Sequence, residues 1–224
     1  MALPCLLAAM LGSARAEDRS HIFVPEANAF VKLSDQTRLF LLGDLTRNVT
    51  ESLTDVELGA YLDLTLKPIL RRRLHDANWE RERYLWVRVG YLWARGVGRD
   101  DAFTEHRVSV SVTGRVELPH AVWLVQRAQA DLRDVDDDFS KRYRYRLGFE
   151  REFDVGGTVM VPYAQAEAFY DTRFDSWNRE LYQVGVEIGL TKAWRFEPYF
   201  SRQHDSRSAS GNVDTIGFVL KYYR

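Results

Sequence analysis

The chain has 224 residues, a formal net charge of −1 and a single cysteine, which fits one domain and gives no electrostatic reason to expect nucleic acid as a partner. Aromatic residues make up 13% of it, with six Trp and eleven Tyr, more amphipathic ring surface than an ordinary soluble domain uses. Such rings gather where one end is apolar and the other wet.

The first sixteen residues differ from everything after them. Leu3 to Leu11 is an apolar run too short to span a bilayer, and Ala14-Arg15-Ala16 is a small-x-small site before the polar Glu17-Asp18-Arg19. This reads as a secretory signal peptide over 1–16 with an atypical, non-basic start; the other reading is a buried N-terminal helix. Cys5 lies inside this leader, so the mature chain has no thiol to pair. Residues 17–36 form an N-terminal arm or short strand, in which Ala27, Ala29, Val31 and Leu33 alternate with Asn28, Phe30 and Lys32.

From residue 37 to 224 the pattern is alternation with a period of two, the signature of extended strands. Residues 38–47 set Leu39, Leu41 and Leu45 against Arg38, Asp44 and Thr46, and 56–68 set Leu58, Ala60, Leu62, Leu64 and Leu66 against Glu57, Tyr61, Asp63, Thr65 and Lys67. Further runs cover 84–93, 107–118 and 122–133. In 142–153, Tyr143, Tyr145, Leu147, Phe149 and Phe153 oppose Arg142, Arg144, Arg146, Glu150 and Glu152. Asp154-Val155-Gly156-Gly157-Thr158 then closes a hairpin onto 159–170. The last runs are 181–190, 194–203 and 215–223. That makes ten strands of roughly the length a tilted membrane-crossing strand needs, or twelve if the N-terminal segment contributes.

Short links at 117–121, 154–158 and 191–193 alternate with longer polar ones at 48–55, 94–105, 135–141, 172–177 and 204–214, as in outer-membrane barrels with tight periplasmic turns and longer outer loops. The 69–83 link, with Arg71-Arg72-Arg73, is long on the short side. The fold class is therefore all-β, an antiparallel up-and-down transmembrane barrel in the outer membrane; a secreted soluble barrel binding an apolar ligand is the alternative. Ile216, Phe218, Leu220 and Tyr222 lead to the chain end as alternate apolar residues, the pattern the barrel-assembly machinery reads, although Arg224 occupies the last position.

With the apolar face toward lipid, Arg107, Arg115, Arg127, Asp131, Arg142, Arg144, Arg146, Glu150, Glu152, Glu167, Glu187, Arg195 and Glu197 point into the lumen. Around ten strands enclose a narrow bore, so interdigitated guanidinium and carboxylate groups are expected to fill it. A filter for small anionic solutes is the alternative.

Three segments, Phe30-Val31-Lys32-Leu33-Ser34-Asp35-Gln36-Thr37-Arg38-Leu39, Tyr143-Arg144-Tyr145-Arg146-Leu147-Gly148-Phe149-Glu150 and Phe196-Glu197-Pro198-Tyr199-Phe200, resemble a widespread family of small Gram-negative outer-membrane barrels classed as a domain of unknown function. The resemblance implies a barrel in the outer membrane, in contact with its lipid and lipopolysaccharide, and no activity.

Catalytic signals are weak. His204-Asp205-Ser206 resembles the His-x-Ser pair of lipid A deacylases, but it sits at a loop start with no carboxylate on the outward face formed by Ile216, Phe218, Leu220 and Tyr222. Asp134, Asp136, Asp137 and Asp138 lack the spacing of a calcium loop. His21, His75, His106 and His120 are too dispersed for a metal, and no nucleotide fingerprint is present, so no metal or cofactor is expected. A structural or envelope role is the leading functional reading, a narrow channel the second and a lipid-modifying enzyme the third.

Overall fold

The computed structural model describes residues 19–49, 53–65, 84–97, 102–207 and 211–224; the leader with Cys5 and the 69–83 link lie outside them. The strands are β1 (Arg19–Lys32), β2 (Thr37–Asn48), β3 (Leu53–Thr65), β4 (Leu85–Val97), β5 (Thr104–Leu118), β6 (Val122–Val135), β7 (Asp138–Arg151), β8 (Phe153–Val155), β9 (Thr158–Asp171), β10 (Ser176–Gly189), β11 (Trp194–Asp205) and β12 (Asn212–Tyr223). Each pairs antiparallel with its neighbour in sequence, except that β7 runs on into the three-residue β8 and both pair with β9. The wall therefore has eleven staves. The structure thus bears out an up-and-down barrel of about ten strands.

The extra stave is β1. Residues expected to be an arm or short strand form a full wall strand that pairs antiparallel with β2 and closes the barrel against β12. In a meander with an odd number of staves the first and last run in the same direction, so this seam is parallel, with Phe23 opposite Ile216 and Phe30 opposite Tyr223.

Side-chain polarity is inverted relative to a soluble barrel. Leu58 is 54% exposed and Ile216 64%, whereas Asp63 and Asp131 are 0% exposed. Every strand follows the parity read from its sequence, and the outward apolar band is continuous around the wall, far more than a water-soluble surface carries. Outward rings gather near both ends. Tyr143, Tyr170 and Trp177 sit close together at the end bearing the β9–β10 connection, with centroids 6.2 and 5.7 Å apart, and Trp194 packs tilted against Tyr222 at the other, 4.8 Å apart. Aromatic clusters at both ends of an apolar band fit the surface of a lipid-embedded barrel.

The connections are less asymmetric than expected. Residues 135–141, read as a loop, are a tight turn of Asp136 and Asp137 (φ 52° and 68°) between long strands. Both positive φ values fit the left-handed hairpin turn that matches strand twist. Asp136 accepts a hydrogen bond from the Thr104 backbone N–H at 2.8 Å, tying the turn to β5 and giving the acidic run a structural job. On the opposite side Gly156 and Gly157 (φ 62° and 83°) make the β8–β9 turn, and Asp154 accepts from the Gly157 N–H at 2.8 Å.

Candidate functional site in the lumen

Three tyrosines lie flat on the inner wall because the strand beside each presents a glycine. Tyr61 is opposite Gly90, Tyr163 opposite Gly185 and Tyr199 opposite Gly217. A Cβ at Gly217 would meet the Tyr199 ring at 2.4 Å and one at Gly90 the Tyr61 ring at 2.3 Å, so the space a side chain would occupy is filled by ring. Rings laid along the wall leave the bore clear. At the turn side of the lumen Tyr223, Phe30, Phe40 and Tyr61 stack across four neighbouring strands, with centroids 4.8, 4.7 and 5.3 Å apart. Arg38 caps Phe30 at 4.3 Å and Arg88 caps Phe40 at 4.2 Å, and both guanidinium groups bind Asp63 at 2.6 Å.

A cavity of about 500 Å³ remains in the central and turn-side lumen. Of the residues expected to face inward, Arg107, Arg115, Arg127, Arg144, Arg146, Glu150, Glu187, Arg195 and Glu197 line it. Asp131, Arg142 and Glu167 are buried in the wall layer behind or beyond it, and Glu152 is exposed at the break between β7 and β8. The bore is thus packed in part, where a filled lumen was expected.

The arginine ladder is organised around one carboxylate. Glu167 on β9 accepts from Arg144 Nε at 2.7 Å, from Arg146 Nη2 at 2.6 Å and from Arg127 Nη2 at 3.2 Å. Asp131 beneath it accepts from Ser109 Oγ at 2.6 Å and Gln129 Nε2 at 2.7 Å. Further round the wall, Glu187 on β10 holds Arg195 at 2.5 Å and Lys221 at 2.7 Å; Lys221 also reaches Glu197, which accepts from the Tyr163 hydroxyl at 2.6 Å. Arg115 pairs with Glu150 and lies over Trp123 at 4.6 Å.

On the loop side of the cavity the lumen is packed with ion pairs. Glu105 accepts from Arg133 at 2.6 Å and Arg107 at 2.6 Å; Asp171 takes Arg133 and Arg142 at 3.5 Å and Arg173 at 2.9 Å; Asp205 takes Arg179 at 2.7 Å. In the β9–β10 connection the hydrogen bond to Asp171 holds the Arg173 guanidinium above its ordinary range. Glu105, Asp171 and Asp205 are each buried.

Sequence reasoning missed the acceptor wall. Glu26, Asp44 and Glu57 are cross-strand neighbours on β1, β2 and β3, Glu26 opposite Asp44 and Asp44 opposite Glu57. Each is an ordinary polar-parity residue in its own strand, and only the register brings them together. Lumen aromatics such as Phe30, Phe40 and Trp86 break the polar-in rule, although their parity alone places them inside.

The His-x-Ser pair is not assembled. His204 is exposed on the outward face with Nδ1 3.1 Å from Asn212 Oδ1, while the Ser206 hydroxyl donates to the Asn178 carbonyl at 3.2 Å. Asp205 between them points into the lumen. Asp214 does occupy the outward face of β12, a carboxylate the sequence pattern did not reveal, but it is bound to Arg202 at 2.7 and 3.0 Å. A nucleophile without its base in reach is not activated. Among the described residues no group of His, Cys, Asp and Glu is placed to hold a metal ion.

No protein-family model and no curated protein matches the chain. Among solved structures it is similar to the beta domain of the Bordetella autotransporter BrkA, at 14% identity over 84% of this chain and 82% of that one, with a TM-score of 0.49. It is similar to a bacterial polysaccharide outer membrane secretin at 8% identity, over 84% of this chain and 64% of that one, with a TM-score of 0.49. Its likeness to the siderophore receptor PirA from Pseudomonas aeruginosa, at 15% identity and a TM-score of 0.30, covers 83% of this chain and 34% of that one.

Proposed function

We propose that the chain is a bacterial outer-membrane barrel whose lumen is an occluded, charge-lined compartment for small polar solutes, not an open diffusion pore. The observation that carries this reading is the placement of a cavity of about 500 Å³ in the central and turn-side lumen beneath a buried layer of ion pairs on the loop side. Removing water from such a layer is offset only while every charge keeps its partner, so the layer resists opening. The apolar band and aromatic clusters support lipid around the wall, with lipopolysaccharide as neighbour and the tight turns toward the periplasm. Ile216, Phe218, Leu220 and Tyr222 form an unbroken outward row on the last strand, which suits delivery by the barrel-assembly machinery. A purely structural envelope role is the second reading, favoured by the density of buried ion pairs.

The test is membrane fractionation with heat-modifiable gel mobility, followed by planar-bilayer recording. A fast-migrating unboiled band in the outer-membrane fraction and the lack of a large steady conductance are expected. Recovery as a soluble periplasmic protein, or a steady porin-sized conductance, would overturn the proposal.

A further inference from the structure

Charge lining the cavity is unevenly distributed across the bore. In the eleven-stave wall β1 and β6 stand five strands apart one way and six the other, so they face each other. On the β1–β3 side Glu26, Asp44 and Glu57 line up in register on adjacent strands, about 5 Å apart. Among the described residues these carboxylates have few direct cation contacts. Glu57 has Arg107 at 3.7 Å, Asp44 accepts from Thr46 Oγ1 at 3.5 Å, and Glu26 accepts from the Asn28 amide, with Lys221 on β12 opposite Asn28. Asn28 is 7% exposed, lines the cavity, and its Oδ1 has no hydrogen-bond partner.

The facing wall is the converse. Arg127, Arg144 and Arg146 converge on Glu167, Arg144 with Asp131 at 3.9 Å besides; Arg127 lines the cavity, and its buried Nε has no hydrogen-bond partner among the described residues. One side thus crowds carboxylates with few cations and the other crowds guanidinium groups around few carboxylates. Like charges this close repel each other with little water between them. A free anion would satisfy the arginines yet confront the carboxylate row, and a free cation would do the reverse. A molecule carrying both charges relieves both walls at once.

Resting on the outer-membrane reading above, we infer that the lumen cavity is a binding site for a linear zwitterion of amino-acid or short-peptide size. Its ammonium group lies toward Glu26, Glu57 and Asn28, and its carboxylate toward Arg127 and its neighbours. The volume is that of an ordinary small-molecule site, and a guanidinium fork is the natural partner of a carboxylate.

The experiment uses the full chain refolded in detergent micelles, its barrel state checked by heat-modifiability. The probe is 6-aminohexanoate, compared by calorimetry and ligand-observed NMR with hexanoate and hexylammonium at matched ionic strength. Saturable binding of 6-aminohexanoate, about tenfold tighter than either singly charged analogue, is expected from the added ion contact. Glu57→Gln and Arg127→Gln should each weaken it about tenfold. Glu57→Gln removes one of three crowded carboxyl groups, so the barrel should still form; Glu26→Gln provides a second variant on the same wall. Equal binding of hexanoate would replace the proposal with a plain anion site. Silence from all three probes in a heat-modifiable barrel would overturn the zwitterion site and leave the outer-membrane reading standing. A preparation without a heat-modifiable band would take down both.

Discussion

Replacing Glu167 by Gln removes the charge on which three guanidinium groups converge. Arg144 retains Asp131 at 3.9 Å and the Phe169 ring at 4.8 Å, but Arg127 and Arg146 lose the one carboxylate they bind among the described residues. Breaking a buried pair by deleting one partner costs about 3–5 kcal/mol, because the survivor is left charged and uncompensated. Both arginine side chains keep some contact with the cavity, 20% and 23% exposed, so the low end, about 3 kcal/mol, is the expected loss. Urea unfolding in lipid vesicles, followed by the slow-migrating gel band, measures it. The companion variant is Arg146→Met in the Glu167→Gln background. If an unpaired cation is the source of the loss, the double change recovers roughly half of it, and the two substitutions are strongly non-additive. A Glu167→Gln barrel within about 0.5 kcal/mol of the parent would show that the arginines are solvated by the lumen and that the centre is not structural.

Other perturbations test other parts of the molecule. Gly217→Ala puts a methyl against the Tyr199 ring and should cost about 1–3 kcal/mol in the same unfolding assay, with Tyr199→Ala restoring most of it. Failure of the second change to rescue the first would mean that the ring is not what the glycine accommodates. Leu58→Arg, near the middle of β3 on the outward face, should lose about 2–4 kcal/mol and lower the assembled fraction in outer membranes. A neutral effect would argue against lipid on that face. His204→Ala and Ser206→Ala should leave the lipid A mass spectrum of an expressing strain identical to that of the parent. A mass shift present with the parent chain and lost in His204→Ala would restore the enzymatic reading.

Much of the wall was legible in the sequence because lipid and lumen impose opposite demands on alternate residues. Leu58 and Asp63, or Tyr145 and Arg144, announce their faces without any knowledge of neighbours. β1 was harder: its outward residues include Pro25, Ala27 and Ala29, too small to make a strong period-two signal, and its inward ones include Val24 and Phe30. The loop-side ends of β6 and β7 were read as loop for a different reason. Apolar alternation fades where a strand passes beyond the greasy band, yet backbone pairing continues to Val135 and Asp138. Least accessible were the relations across strands. Tyr199 gives no hint that Gly217 lies opposite, and no local pattern places Glu26, Asp44 and Glu57 in one row, because register is a property of the closed sheet.

The parity of the wall governs which side of the membrane each end of the chain reaches. An even meander returns to its starting side, whereas eleven staves leave β1 starting at the rim where β12 begins and β12 finishing at the rim where β1 ends. Topologically the described strands make one net crossing. Tags placed just before Arg19 and just after Arg224 would therefore meet different compartments, and a protease confined to one face could remove only one of them.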